Sequence, residues 1–291
     1  EKTYPTVLYK SGAGAFEKIA STDKQFISTE LGVHATMYLE CCRDTIFGMV
    51  DKFIGDTRAR TFMSIGHRGA SGHEVENTLS SFEKAIELGC DMIELDVRKV
   101  GDDLVVFHDN DLSRMFEIDK STEECHTHFL RNLKLENGDN VPTLNQAINF
   151  INRRTKINIE LKGPYTGTLV ASKIVHLVET SDWEYSDFLV SSFSKEELSL
   201  VKDFSKNIRL GLLFGGEGRD LIDVAISLAT AKFLDAWSVN VSGEVVSEEL
   251  VNIAHNQGMK VLVYTINDPE EIRTLKELGV DGIFSDYPER I

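Results

Sequence analysis

The stretch "IGHRGASGHEVENTLSSFEKA", residues 65–85, reads as a strand, a turn and a helix. The strand ends on His67 and Arg68, glycines follow at 69 and 72, and a second histidine stands at 73. The same alternation then repeats along the chain. Short β-rich runs, FMSIGH, DMIELDV, INIELK, FLVSSF, IRLGLLF, AWSVNV, KVLVYTI and DGIFSD, are separated by helical patterns at 77–89, 143–155, 166–180, 194–205, 220–232, 247–257 and 268–278. Asn77, Ser194, Ser247 and Asp268 stand just before helical runs as capping residues, and Ser194 has Glu197 at capping-box spacing. Gly89, Gly258 and Gly279 stand where helices should stop. Eight strands alternating with helices make a parallel sheet, and eight is the number that closes a (β/α)8 TIM barrel, with a doubly wound open sheet as the structural alternative.

Composition narrows the function. The chain has 291 residues, 31 Lys and Arg against 47 Asp and Glu, and a formal charge of −16. That balance argues against nucleic acid and anionic membranes as partners. No apolar stretch reaches transmembrane length and no signal peptide is visible, so a cytoplasmic protein is expected. Cys41, Cys42, Cys90 and Cys125 show no disulfide-scaffold spacing. An anionic substrate would need local positive charge, and the His67–Arg68 pair at a strand end suggests a phosphate.

In "MIELDV" strand alternation points Glu94 and Asp96 to one face, with Ile93, Leu95 and Val97 on the other. In "INIELK" Asn158, Glu160 and Lys162 share a face opposite Ile157, Ile159 and Leu161. The apolar sets pack on the helices, so the acids enter the barrel. Three acids there repel one another and lose hydration. A set of buried ion pairs, such as Glu160 with Lys162, would relieve them. So would a divalent cation, and an all-oxygen ligand set suits Mg²⁺ or Ca²⁺. Gly101-Asp102-Asp103 predicts a turn that folds 104–107 back on the second strand, returning His108 to Glu94 and Asp96. Opposite His67, it has the arrangement that general acid–base catalysis needs.

The ordered motifs HRGASG…ENT, ELDV, FHD, PTL, ELK, YTIND and GVDGIFSDYP closely resemble the glycerophosphodiester phosphodiesterase family over about residues 63–288. The resemblance implies a TIM barrel that hydrolyses glycerophosphodiesters to sn-glycerol 3-phosphate and an alcohol with one divalent cation. It implies His67 and His108 as the acid–base pair, Glu94, Asp96 and Glu160 as metal ligands, and Arg68 and Lys162 as phosphate contacts. Tyr264 stands where the family commonly has Trp, at the substrate mouth, with Phe193, Phe214 and Phe284 also near strand ends. Two further readings are a lysophospholipase D, which needs an apolar groove at the mouth, and a non-catalytic phosphodiester-binding barrel. The segment 109–142 looks like a small capping insertion on the barrel of residues 62–291. Cys125, His126 and His128 lack a second ligand pair for zinc. In residues 1–61 a helical extension is expected, with an amphipathic helix at 34–54 covering the barrel between its last and first strands.

Overall fold

The computed structural model describes residues 62–215 and 221–291. The expected helix at 34–54, Cys41 and Cys42, and residues 216–220 lie outside the described residues. The strands, in chain order, are β1 (Met63–Gly66), β2 (Met92–Val100), β3 (Asp103–Val106), β4 (Asp111–Leu112), β5 (Ile118–Ser121), β6 (Lys156–Lys162), β7 (Phe188–Ser192), β8 (Arg209–Phe214), β9 (Ser238–Ser242), β10 (Lys260–Tyr264) and β11 (Gly282–Ser285). The helices are α1 (Leu79–Glu87), α2 (Ser113–Phe116), α3 (Thr127–Asn132), α4 (Leu144–Ile151), α5 (Gly167–Thr180), α6 (Lys195–Phe204), α7 (Leu221–Phe233), α8 (Glu248–Asn256) and α9 (Pro269–Leu278). Eight parallel strands run β1-β11-β10-β9-β8-β7-β6-β2, and β1 pairs with β2 to close the barrel.

The helices begin where hydroxyl and carboxylate side chains satisfy their first backbone donors. Thr143 with Gln146 forms a full capping box, and Asp268 accepts from the Glu270 and Glu271 amides. Ser194 accepts from the Glu197 amide, but the Glu197 carboxylate turns away to accept from the Tyr165 and Gly167 amides at the start of α5. Asn77 is one residue outside its expected role. Thr78 caps α1, and Asn77 takes a left-handed φ of 59° with its side chain turned inward.

Strand alternation sorts the interior by height. Ile65, Met92, Leu189, Leu262 and Phe284 form an apolar plug inside the barrel. Asn158 of β6, Ser191 of β7, and Ser238 and Asn240 of β9 are buried polar residues. On the outer face Ile93, Leu95, Ile157, Ile159 and Val190 join the core shared with the helices. Beyond β2 the chain turns back as expected, and β3 pairs antiparallel with β2 in the register Val97↔Val106. The insertion that follows carries its own small core of Leu112, Cys125 and Leu130 packed with Val100, Val105 and Phe107. Cys125 is thus a packing residue.

Candidate active site

The site begins at the turn after β1. Arg68 takes φ 52° and Gly69 φ 87°. A Cβ on Gly69 would fall 2.7 Å from the Ser81 carbonyl carbon and oxygen, so the turn can press against α1 only with glycine there. The turn aims the Arg68 amide at Glu94 Oε2, 2.8 Å away. This links the end of β1 to the acids on β2.

Glu94, Asp96 and Glu160 are buried, and one oxygen from each lies within 4.8 Å of the others. The register Asp96↔Glu160 of neighbouring β2 and β6 brings them together. Burial, then the charges of Asp96 and Glu160, push the Glu94 carboxyl well above its ordinary range. Burial and Asp96 raise Glu160 too, against the pull of Lys162. Burial also works against Asp96, but Lys162, Arg68 and His108 outweigh it and hold Asp96 low. The ion-pair reading is therefore partly realised. Lys162 Nζ pairs with Glu160 Oε1 and lies 3.4 Å from Asp96 Oδ1, and Arg68 Nε lies 3.3 Å from Asp96 Oδ2. Three carboxylates still face two cations, and Glu94 Oε1 is buried with no hydrogen-bond partner. That leftover charge and orphan acceptor fit a hard divalent cation.

Each histidine stands on its own carboxylate. His67 Nδ1 lies 2.7 Å from Asp286 Oδ1, and His108 Nδ1 lies 2.7 Å from Asp109 Oδ1. A carboxylate can only accept, so each Nδ1 carries a proton and each Nε2 is left to exchange one. Asp286 also accepts from Ser71 Oγ and Asn267 Nδ2, each at 2.7 Å. These bonds outweigh burial and hold Asp286 far below its usual range. Burial lowers His108, against the pull of Asp96.

Several site residues escaped the sequence reading. Asn77 Nδ2 donates to Asp96 Oδ2 at 2.9 Å, and Asn77 Oδ1 accepts from the Asp96 amide at 3.2 Å. Glu76 pairs with Arg68, and Arg114 with both Glu76 and Asp109. Arg98 donates from Nε and Nη2 to the His108 carbonyl at 3.0 and 2.9 Å. Asp286 follows inward-facing Phe284 by two residues, so strand alternation was the one signal that could have found it.

The aromatic residues divide. Phe193 is half exposed, its ring meets that of Tyr264 edge to face with centroids 6.0 Å apart, and Lys162 Nζ lies 5.8 Å from its centroid. Phe214 and Phe284 are buried core and do not line the mouth. His73 pairs with Glu289 at 2.9 Å and packs on Tyr287, and Trp237 stands near Arg209 and Lys260. Among the described residues Cys125, His126 and His128 form no metal-binding group.

Residues 67–290 match the glycerophosphoryl diester phosphodiesterase family model. A glycerophosphodiester phosphodiesterase from Bacillus altitudinis is 31% identical over 243 residues, covering 77% of this chain and 94% of its own. A human lysophospholipase D, GDPD1, is 24% identical over 266 residues, covering 78% of this chain and 84% of its own. Among solved structures, an Oleispira antarctica phosphodiesterase in complex with the product sn-glycerol 3-phosphate is 29% identical with a TM-score of 0.69. It covers 78% of this chain and 94% of its own. No described helix is long and apolar enough to cross a membrane. The barrel, the acids on β2 and β6, and the match over residues 67–290 agree, and the chain belongs to the glycerophosphoryl diester phosphodiesterase family of phosphoric diester hydrolases.

Proposed function

We propose that this chain hydrolyses glycerophosphodiesters to sn-glycerol 3-phosphate and an alcohol by two-histidine acid–base catalysis at a divalent-metal site. One observation carries the reading: three buried acids on two adjacent strands, flanked by two histidines that each stand on a carboxylate. Glu94, Asp96 and Glu160 would hold Mg²⁺ or Ca²⁺, which when bound supplies Lewis acidity towards the phosphoryl oxygens.

The chain's own groups do the rest. Arg68 and Lys162 bind the phosphate oxygens, supplying the local positive charge that a chain of −16 otherwise lacks. His108 is held towards its neutral form by burial, so its Nε2 takes the proton of the attacking oxygen. His67, oriented by Asp286, gives a proton to the departing alcohol oxygen. Phe193 and Tyr264 wall the mouth and exclude water from one side of the substrate.

Release of sn-glycerol 3-phosphate from glycerophosphocholine, with and without chelator after dialysis, tests the reading. Turnover that survives excess chelator sinks the metal part. A lysophospholipid substrate is the second reading, favoured by half-exposed Phe193 at the mouth. The intact histidines and acids oppose a non-catalytic barrel.

A further inference from the structure

We infer that Arg114, on the short helix α2 of the insertion, is a positioning residue that holds Arg68 through Glu76 and His108 through Asp109. The inference rests on the roles of Arg68 and His108 proposed above. Arg114 Nη2 and Nη1 donate to Glu76 Oε1 and Oε2 at 2.6 and 2.9 Å. Its Nε donates to Asp109 Oδ2 at 2.7 Å. Glu76 Oε1 in turn accepts from Arg68 Nη1 at 2.8 Å, and Asp109 Oδ1 meets His108 Nδ1 at 2.7 Å.

One guanidinium thus ties two groups delivered by different elements, Arg68 by the turn after β1 and His108 by the segment after β3. Without it, Glu76 and Asp109 are two acids held near the site with no common partner. Arginine holds both in one fixed geometry. Its planar fork carries donors to two carboxylates at once, whereas a lysine ammonium is a single point charge. Arg114 is half exposed, and ion pairs in such a setting contribute little to folding. The consequence of losing it therefore falls on the chemistry, where a misplacement of about 1 Å can cost on the order of 10²-fold.

The test uses the full chain with Arg114→Ala, Arg114→Lys, Glu76→Gln and Asp109→Asn. Hydrolysis of glycerophosphocholine gives kcat and KM, calorimetry gives the Kd of sn-glycerol 3-phosphate, and thermal unfolding gives Tm. Arg114→Ala should lower kcat/KM by about 10–100-fold with Tm nearly unchanged, and Arg114→Lys should recover only part. Glu76→Gln should weaken product binding without further loss when combined with Arg114→Ala, because both act on one path. Asp109→Asn should lower kcat while leaving product binding intact.

Arg114→Ala with kcat/KM and product Kd both within about twofold of the intact chain overturns the inference, whatever the change in Tm. So does full multiplication of the Glu76→Gln and Arg114→Ala effects. If the intact chain binds product but does not turn over the diester, the proposed function falls and the Kd comparison still decides the role of Arg114. An intact chain that does neither overturns both.

Discussion

His67 Nδ1 and Asp286 Oδ1 lie 2.7 Å apart across the seam where the first barrel strand, β1, meets the last, β11. The two residues are 219 positions apart in sequence, and closing the barrel is what makes them a pair. Three donors, His67, Ser71 and Asn267, hold the Asp286 carboxylate and fix the imidazole's orientation.

Asp286→Asn should therefore lower kcat by about 10²–10⁴-fold with a smaller change in KM, since the amide cannot support an imidazolium as the carboxylate does. The carboxyl is held below its ordinary value, so its stabilising effect is present above the unfolded value. That effect is lost as pH falls through the folded value. Acid unfolding of the variant should lose that part of its pH dependence. Unchanged steady-state kinetics would remove Asp286 from the mechanism.

Glu94 behaves in the opposite sense. Its folded value is raised, so the metal-free protein is favoured below the ordinary glutamate range and loses stability as pH rises through the folded value. Added Mg²⁺ or Ca²⁺ should therefore raise Tm more at pH 8 than at pH 5. At a hundred times Kd the gain is about 2.7 kcal/mol. Glu94→Gln should raise the metal-free Tm at neutral pH and abolish both metal response and turnover. A metal-free Tm that falls instead means that the carboxylate stabilises the fold through the Arg68 amide.

Arg68 reaches Glu76 and Asp96 from a backbone held at positive φ. Arg68→Lys keeps the charge and loses the fork. kcat/KM should fall by at least about tenfold, with KM rising, because a lysine cannot bond two phosphate oxygens bidentately as the planar guanidinium does. Equal kcat/KM in the two proteins assigns Arg68 to the ion-pair network alone.

Phe193→Ala opens the wall beside Tyr264. If apolar substrate atoms pack there, the variant should lose more on a lysophospholipid than on glycerophosphocholine, by about 1–3 kcal/mol in kcat/KM. Comparison of the two substrates with each protein measures this directly. Equal losses on both would leave glycerophosphodiesters as the substrate class and set the acyl reading aside.

The alternation of eight strand-like runs with helical patterns favoured a (β/α)8 barrel over an open doubly wound sheet, and the β1–β2 pairing closes it. The sequence also determined which acids enter the barrel. Glu94, Asp96 and Glu160 follow from strand alternation, and the register Asp96↔Glu160 merely sets them level. The turn that brings His108 back was legible in Gly101-Asp102-Asp103, and β2 and β3 pair accordingly.

Local patterns failed where a residue's partner is remote. Asn77 carries the composition of a helix cap, yet its amide is used by Asp96, which β2 brings beside it. Glu197 has capping-box spacing to Ser194, yet it caps the neighbouring helix α5. Phe214 and Phe284 stand near strand ends like Phe193, but only the packing of the closed barrel buries the first two and exposes the third. Asp286, Asp109 and Arg114 are ordinary charged residues in the sequence. Their roles arise from hydrogen bonds between segments that the barrel and its insertion bring together. Periodicity records which face a side chain occupies. Which partner it meets on that face is decided only when the strands close.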